Sequence, residues 1–569
     1  DCVYFGHQWI GKRFALNVMN VLSDNNISAL LNIIKPSLAD ELATETQCPL
    51  TDVASTEDWI SQLSATNYAD NAVQLYRVLP SLVRLDTDPS DKMAILDSLA
   101  PTVARCADCL LQTQLRADSA KAISLGQALM RLVYEGYKLV IFQLGTALQR
   151  DSQQQTKKLA KAIFNACNVL AKIQLNSLSH YLAQPPYFWR ELHCLNLLAE
   201  RLNIHDMDIP SATGINTSIS KVYLKLLLFN CTRPNHFSHY EMMFVYTELD
   251  FWAPLAELQK GSKGGLFAID PSSNRGAVYA DEIDPSSPYV TLDTFNLVKF
   301  LNSTLEETNS ALFSDRVSRR VIKDLVRQWG TKIKRRETHI KDKIEVSIAS
   351  GFTSSVCMLS RTDSFENFLL LCGEKPSRAE RGVRGIKRVD DVWGTSFEAI
   401  DSHPADPVIY TPTRANKTKL SLIRGMRTDI SLNGCCIELP SEESELKPGE
   451  VIAIRVKGSS KWQAGIIRWK HTSPSLTALC GIQFPSRFCA AAAIQSGPSD
   501  AQGQQHFVHG ILLSKKKDMS DQLSLLCPPL RYRKGSKIRL LSTHKKMRVI
   551  LGEELDSTEH LTHFKITPC

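Results

Sequence analysis

The chain has 569 residues, of which 43% are apolar and 22% charged, with a formal net charge of +8. Such a length exceeds a single hydrophobic core and points to roughly three or four domains, while so mild a charge excludes a protein defined by bulk attraction to nucleic acid. Fifteen cysteines, odd in number and scattered, suit reduced thiols and a cytoplasmic setting rather than a disulfide framework.

No apolar run approaches the roughly 20 residues that span a bilayer, so no membrane span is expected. No signal peptide is visible. The chain opens on Asp1 rather than Met, so a truncated start is expected.

Residues 1–256 read as an α-helical domain. "DKMAILDSLAPTVARCADCLLQ", "AKAISLGQALMRLVYEGYKLVIFQLGTALQR" and "LAKAIFNACNVLAKIQLNSLSHYLA" carry apolar residues at three- and four-residue spacing. The third run stops at Pro185-Pro186, where a helix cannot continue. Wide apolar stripes must be buried against one another, which gives a helical bundle or array with no recognisable repeat period. Cys106-x-x-Cys109 lies within such a run and has no second pair, so it reads as a helix segment rather than a zinc site. His205-Asp206 is a dyad of the kind metal phosphodiesterases use, but no further His/Asp element accompanies it. A turn at a helix end is the plainer reading.

Residues 257–312 form a small β-containing connector, from the short runs "GGLFAID", "AVYADE" and "YVTLD". A helical stretch follows, and Arg316 to Lys343 holds eleven Lys and Arg, whose default meaning is a solvated face. "KIEVSIASG" alternates as a strand should. Residues 358–419 are irregular and rich in Arg, Asp, Ser and Pro, as in a flexible insertion. Strands resume at 420, and "RYRKGSKIRLL" and "KMRVILGEEL" mark a C-terminal β extension over 489–569.

Within "RGMRTDISLNGCCIEL", Asn433-Gly434 is by itself a cue for a two-residue hairpin turn. The same residues spell Asp429-x-Ser431-x-x-Gly434: an acceptor, a hydroxyl two residues on along one strand face, and a glycine able to take positive φ. After them come "LKPGEVIAIRV", "WQAGIIRW" and "CGIQF", with Trp469 and Phe484 expected in the core and Cys435-Cys436 expected as one inward and one outward thiol.

This order of elements resembles the PilZ domain. The resemblance implies a six-stranded antiparallel barrel, here from 313–357 and 420–488, that binds the bacterial second messenger cyclic di-GMP. The fold class expected is therefore α+β and multidomain, an N-terminal helical array followed by a PilZ-like β-barrel with a β extension. The family's other ligand element, R-x-x-x-R before the first strand, is irregular here. Arg335 and Arg336 stand there, Lys332-x-x-x-Arg336 and Arg335-x-x-x-His339 are the nearest spacings, and a literal match falls at Arg384 and Arg388 inside the insertion.

The resemblance implies ligand contacts from Arg335, Arg336, Asp429, Ser431 and Gly434, with Lys332, Arg384, Arg388 and Arg427 as additional candidates. Chemically these types suit the ligand: a guanidinium grips phosphate or the O6/N7 edge of guanine bidentately, and a carboxylate accepts from guanine N1 and N2. The expectation is a non-enzymatic cytoplasmic effector with no cofactor, whose helical domain meets an unidentified protein partner. The alternative is a PilZ-like scaffold that has lost its ligand and serves protein–protein contacts alone.

Overall fold

The computed structural model describes residues 27–36, 48–112, 119–148, 152–210, 216–260, 265–284, 288–306, 316–333, 338–374, 422–440, 446–473, 477–495, 506–517, 519, 522–529, 532–543 and 545–569. The chain divides into two compact units: Asp1–Thr338 with Leu439–Pro448 and Trp469–Cys480, and His339–Glu438 with Gly449–Arg468 and Gly481–Cys569.

The first unit is helical. Its helices are α1 (Ile27–Ile34), α2 (Val53–Ser61), α3 (Tyr68–Arg84), α4 (Pro89–Gln112), α5 (Ser119–Thr146), α6 (Gln153–Ser179), α7 (Phe188–Arg201), α8 (Ile219–Cys231) and α9 (His239–Trp252). Local chemistry marks the ends. Asp52 and Ser238 build capping boxes on α2 and α9, and Ser152 and Ser218 cap α6 and α8. A two-residue ladder, β1 (Ile209–Pro210) with β2 (Asn216–Thr217), precedes α8. The apolar stripes meet in one continuous core through Leu96, Tyr134, Ile163, Leu195, Phe229 and Trp252.

Inside this core Lys138 lies 3.1 Å from Glu191 and 3.4 Å from Glu135, tying α5 to α7. An ammonium that is only 4% exposed persists there because it is paired. Burial raises the Glu135 carboxyl above its usual range, against the opposing pull of Lys138. Cys106 is also buried, and desolvation pushes its thiol up to about 11.

The connector is a four-stranded antiparallel sheet in the order β3 (Glu257–Lys260), β6 (Val290–Asp293), β4 (Phe267–Ile269), β5 (Val278–Tyr279). Helices α10 (Phe295–Glu306) and α11 (Arg316–Gly330) follow. Helix α11, read with the barrel from 313 onward, buries Val321, Ile322, Leu325 and Trp329 in the helical core. Nor is its basic face wholly solvated. Arg320 is 18% exposed and pairs with the buried Glu241 and with Asp324.

The second unit contains two closed barrels. The first has the order β10 (Val451–Val456), β11 (Gln463–Thr472), β12 (Ala478–Gln483), β9 (Gly434–Leu439), β8 (Ile423–Ile430), β7 (Ile340–Ser350). The far end of the β11–β12 hairpin is counted with the helical unit, where the Thr472 N–H donates to the Tyr181 carbonyl at 2.6 Å. After β7 come α12 (Gly351–Ser360) and α13 (Phe365–Leu371), so the segment read as irregular from 358 begins with ordered helix; residues 375–421 lie outside the described residues. Trp469 and Phe484, expected in the core, are only half-buried.

The strands after 488 close on themselves: β13 (Phe488–Gln495), β14 (Phe507–Ser514), β15 (Ser524–Cys527), β18 (Thr562–Pro568), β17 (Lys546–Ser557), β16 (Lys537–Leu541). They share a core with the first barrel. Val356, Phe368, Val451, Ala464 and Ile466 pack in one cluster with Ala491, Ile511, Leu513, Leu526, Leu541 and Leu561. Between the barrels, Arg468 pairs with Asp556 at 2.6 Å and Thr558 Oγ1 donates to the Gly449 carbonyl at 3.0 Å.

Burial holds His180, His193, His509 and His563 at about 4, well below an ordinary imidazole. His193 shows why the neutral form fits: one ring nitrogen meets the Tyr223 hydroxyl at 2.7 Å and the other the Arg275 carbonyl at 2.9 Å. Such groups take up protons more readily when unfolded, near pH 6.5. Their contribution is intact above about that pH and is lost as pH falls toward 4. The thermal midpoint should therefore drop steadily on acidification below about pH 6.5, and a level profile would contradict this.

Candidate functional site

The Asp429-x-Ser431-x-x-Gly434 segment forms the β8–β9 hairpin and ends one mouth of the first barrel. Its tip differs from the expected Asn433-Gly434 turn. Ile430 pairs with Cys435, and the Ser431 N–H donates to the Gly434 carbonyl at 2.8 Å, which leaves Leu432-Asn433 as the two loop residues. Neither has positive φ, and neither does Gly434.

The glycine is required for a different reason. A Cβ built on it would sit 2.5 Å from the Ile482 carbonyl oxygen, a backbone atom of β12. The Phe484 N–H also donates to the Asn433 carbonyl at 2.7 Å, so the hairpin is clamped from outside its own strands. Gly434→Ala should destabilise the barrel by about 1–3 kcal/mol, the usual cost of overpacking, read from the denaturant midpoint.

Two irregularities sit just before the site. β7–β8 pairing slips between Lys341 and Ile344, and β8–β9 pairing slips between Arg427 and Asp429. Bulges of this kind re-aim side chains at the rims of barrels. From Asp429 to Ser431 the register is regular, so both side chains leave the same face of the pleat. The Ser431 Oγ lies 3.4 Å from the Gly434 carbonyl, a long bond.

Asp429 is 28% exposed. One of its oxygens is 3.0 Å from His339 Nδ1, and the other takes no hydrogen bond among the described residues. Directly across the ladder from Asp429 stands Lys341, exposed and with no ion pair among the described residues. The hairpin tip adds Leu432, 64% exposed, and the adjacent strand adds Ile340, 67% exposed.

Arg427, an additional candidate, is committed to Asp342 on β7. Its Nε lies 3.1 Å from each carboxylate oxygen, and an Nη2 contact completes the pair. Lys332 belongs to the helical unit, where it pairs with Asp281 and lies 5.3 Å over the Tyr279 ring. Arg335, Arg336, Arg384 and Arg388 lie outside the described residues. Cys435 and Cys436, expected to face opposite ways, are both buried, and desolvation pushes the Cys435 thiol up to about 12.

Sequence reasoning used His339 only as an imperfect spacing and passed over Lys341 and Asp342. The available signal was that the basic run extends into the first residues of β7, where a ladder register would set it against the hexapeptide. His205 and Asp206 lie 3.1 Å apart, and Ser220 donates to Asp206. No group of three or more metal-ligating side chains occurs among the described residues, and no described helix is long and apolar enough to cross a membrane.

Comparison with known proteins agrees with this architecture. Residues 54–263 match the family model of the cyclic-di-GMP receptor FimW N-terminal domain, 266–489 that of its middle PilZ domain, and 489–569 that of the FimW C-terminal β-barrel domain. The cyclic-di-GMP receptor FimW of Pseudomonas aeruginosa is 22% identical over 549 residues, which covers 89% of each chain. No solved structure matches the sequence. Matched in order along nearly its whole length by the three parts of one family, the chain belongs to the FimW family, with a PilZ domain as the middle part of its sequence.

Proposed function

We propose that this chain is a non-enzymatic effector that binds cyclic di-GMP on the β8–β9 hairpin and passes the signal through its helical domain to a protein partner in the cytoplasm. The observation that carries the reading is Asp429: a carboxylate with one oxygen open, beside the Ser431 hydroxyl and flanked by His339 and Lys341. An open carboxylate suits the N1 and N2 donors of guanine, and adjacent cations suit the phosphates. Arg335 and Arg336 precede these groups in the chain by a few residues and supply the bidentate forks that a lysine cannot.

In the free protein His339 covers one Asp429 oxygen. Ligand would displace it, and that exchange of partners at Asp429 would be the event that shifts the protein toward its signalling state. Calorimetry with the full chain and cyclic di-GMP tests the reading: saturable heat at about micromolar ligand is expected. Folded protein that gives no heat at tens of micromolar, roughly, leaves the scaffold alternative in its place. Paired substitution of Arg335 and Arg336, against that of Arg384 and Arg388, then tells which segment supplies the forks.

A further inference from the structure

A second basic cleft lies elsewhere on the first barrel. Met358, Arg361, Thr362, Arg455, Ser460 and Trp462 line a cavity of about 350 Å³, between the end of α12, the end of β10 and the start of β11. It is separate from the Asp429 hairpin. Arg455 stands opposite Ser347 and Asp429 opposite Lys341, which is about 20 Å along β7 at the rise of a strand. The two sites also border opposite edges of β7, one through β10 and the other through β8.

Three observations make this cleft more than a charged surface. Neither Arg361 nor Arg455 has a carboxylate partner among the described residues. By contrast, several basic side chains of the barrels are paired, as with Lys457–Glu345, Arg468–Asp556 and Arg539–Glu374.

Second, the Arg455 guanidinium lies 4.8 Å over the half-buried Trp462 ring. Stacking on an indole holds the planar group still and leaves its N–H edge free for an oxyanion. Third, Arg361 caps α12 in the left-handed conformation, at φ 59°, a position where glycine is the usual residue. The backbone there is strained for a side chain with a Cβ, and such outliers cluster at ligand sites.

We propose that this cleft is a second anion site, which takes the phosphate group of a small molecule. Two guanidiniums converging on one cavity match a dianion better than a single carboxylate. The Ser460 hydroxyl, which makes no hydrogen bond among the described residues, adds a donor. The group could belong to free inorganic phosphate compounds or to a nucleotide whose base also uses the indole.

The test is titration of the full chain with inorganic pyrophosphate and separately with GMP, on the parent and on Arg361→Gly and Arg455→Ala. Arg361→Gly is the decisive variant, because glycine suits the left-handed cap and should keep or raise the thermal midpoint. Binding at about 1 mM or tighter, weakened about tenfold or more in both variants, supports the site. A GMP affinity well above that of pyrophosphate identifies a nucleotide as the ligand class; equal affinities identify the phosphate alone. Absence of binding by either probe, or binding unchanged in Arg361→Gly, overturns the proposal.

Discussion

Asp429→Ala should weaken cyclic di-GMP binding by about tenfold to a hundredfold, the scale of losing charge-assisted hydrogen bonds to a ligand. The carboxylate is partly exposed at the rim and carries no packing load. Removing it should therefore leave the thermal midpoint nearly unchanged, so a loss of affinity would report on recognition. Asp429→Asn should fall between parent and alanine, since an amide keeps one acceptor but presents a donor where guanine also donates. Calorimetry on the three proteins under one salt condition gives the comparison. Equal affinity in parent and alanine variant would remove Asp429 from the ligand site and with it the geometric basis of the proposed function.

The other large effect concerns folding. A chain ending at Arg487 should fail to form a stable first barrel. Half of the cluster joining the barrels comes from later residues: Ala491, Ala493, Ile511, Leu513, Leu526, Leu541 and Leu561. Deleting one buried Leu or Ile costs about 2–5 kcal/mol, and a whole domain is stable by only about 5–15 kcal/mol. Truncation removes five such side chains and two buried alanines at once and exposes Val451, Ala464 and Ile466 to water. Leu513→Ala in the full chain is the milder companion, expected to lose about 2–5 kcal/mol in urea unfolding. A soluble truncated protein with a cooperative transition at the parental midpoint would show that the first barrel stands alone.

Much of the architecture was legible because its signals are short-range. The apolar spacing of α4, α5 and α6 needs only neighbouring turns of one helix to be recognised, although α6 ends at Ser179, six residues before Pro185. The strands "KIEVSIASG" and "WQAGIIRW" likewise declare themselves by period and by flanking glycines. The site was half legible. Asp429, Ser431 and Gly434 lie within six residues, whereas His339, Lys341 and Asp342 join them only through the β7–β8 ladder. Cys435 and Cys436 misled for a related reason, since strict alternation does not hold for a strand buried on both faces.

From its residues alone, then, the chain determines a helical first half, a barrel-forming second half and a hexapeptide with ligand chemistry, because propensity and periodicity act over a few residues. Tertiary structure decided what Gly434 is for, where α11 belongs and that the last strands close as a barrel sharing its core with the first. Each of those depends on atoms far apart in the chain, such as the Ile482 carbonyl against Gly434 and Leu513 against Ile466 in one cluster. Burial and close approach are properties of the packed whole, and no local pattern encodes which distant backbone will arrive.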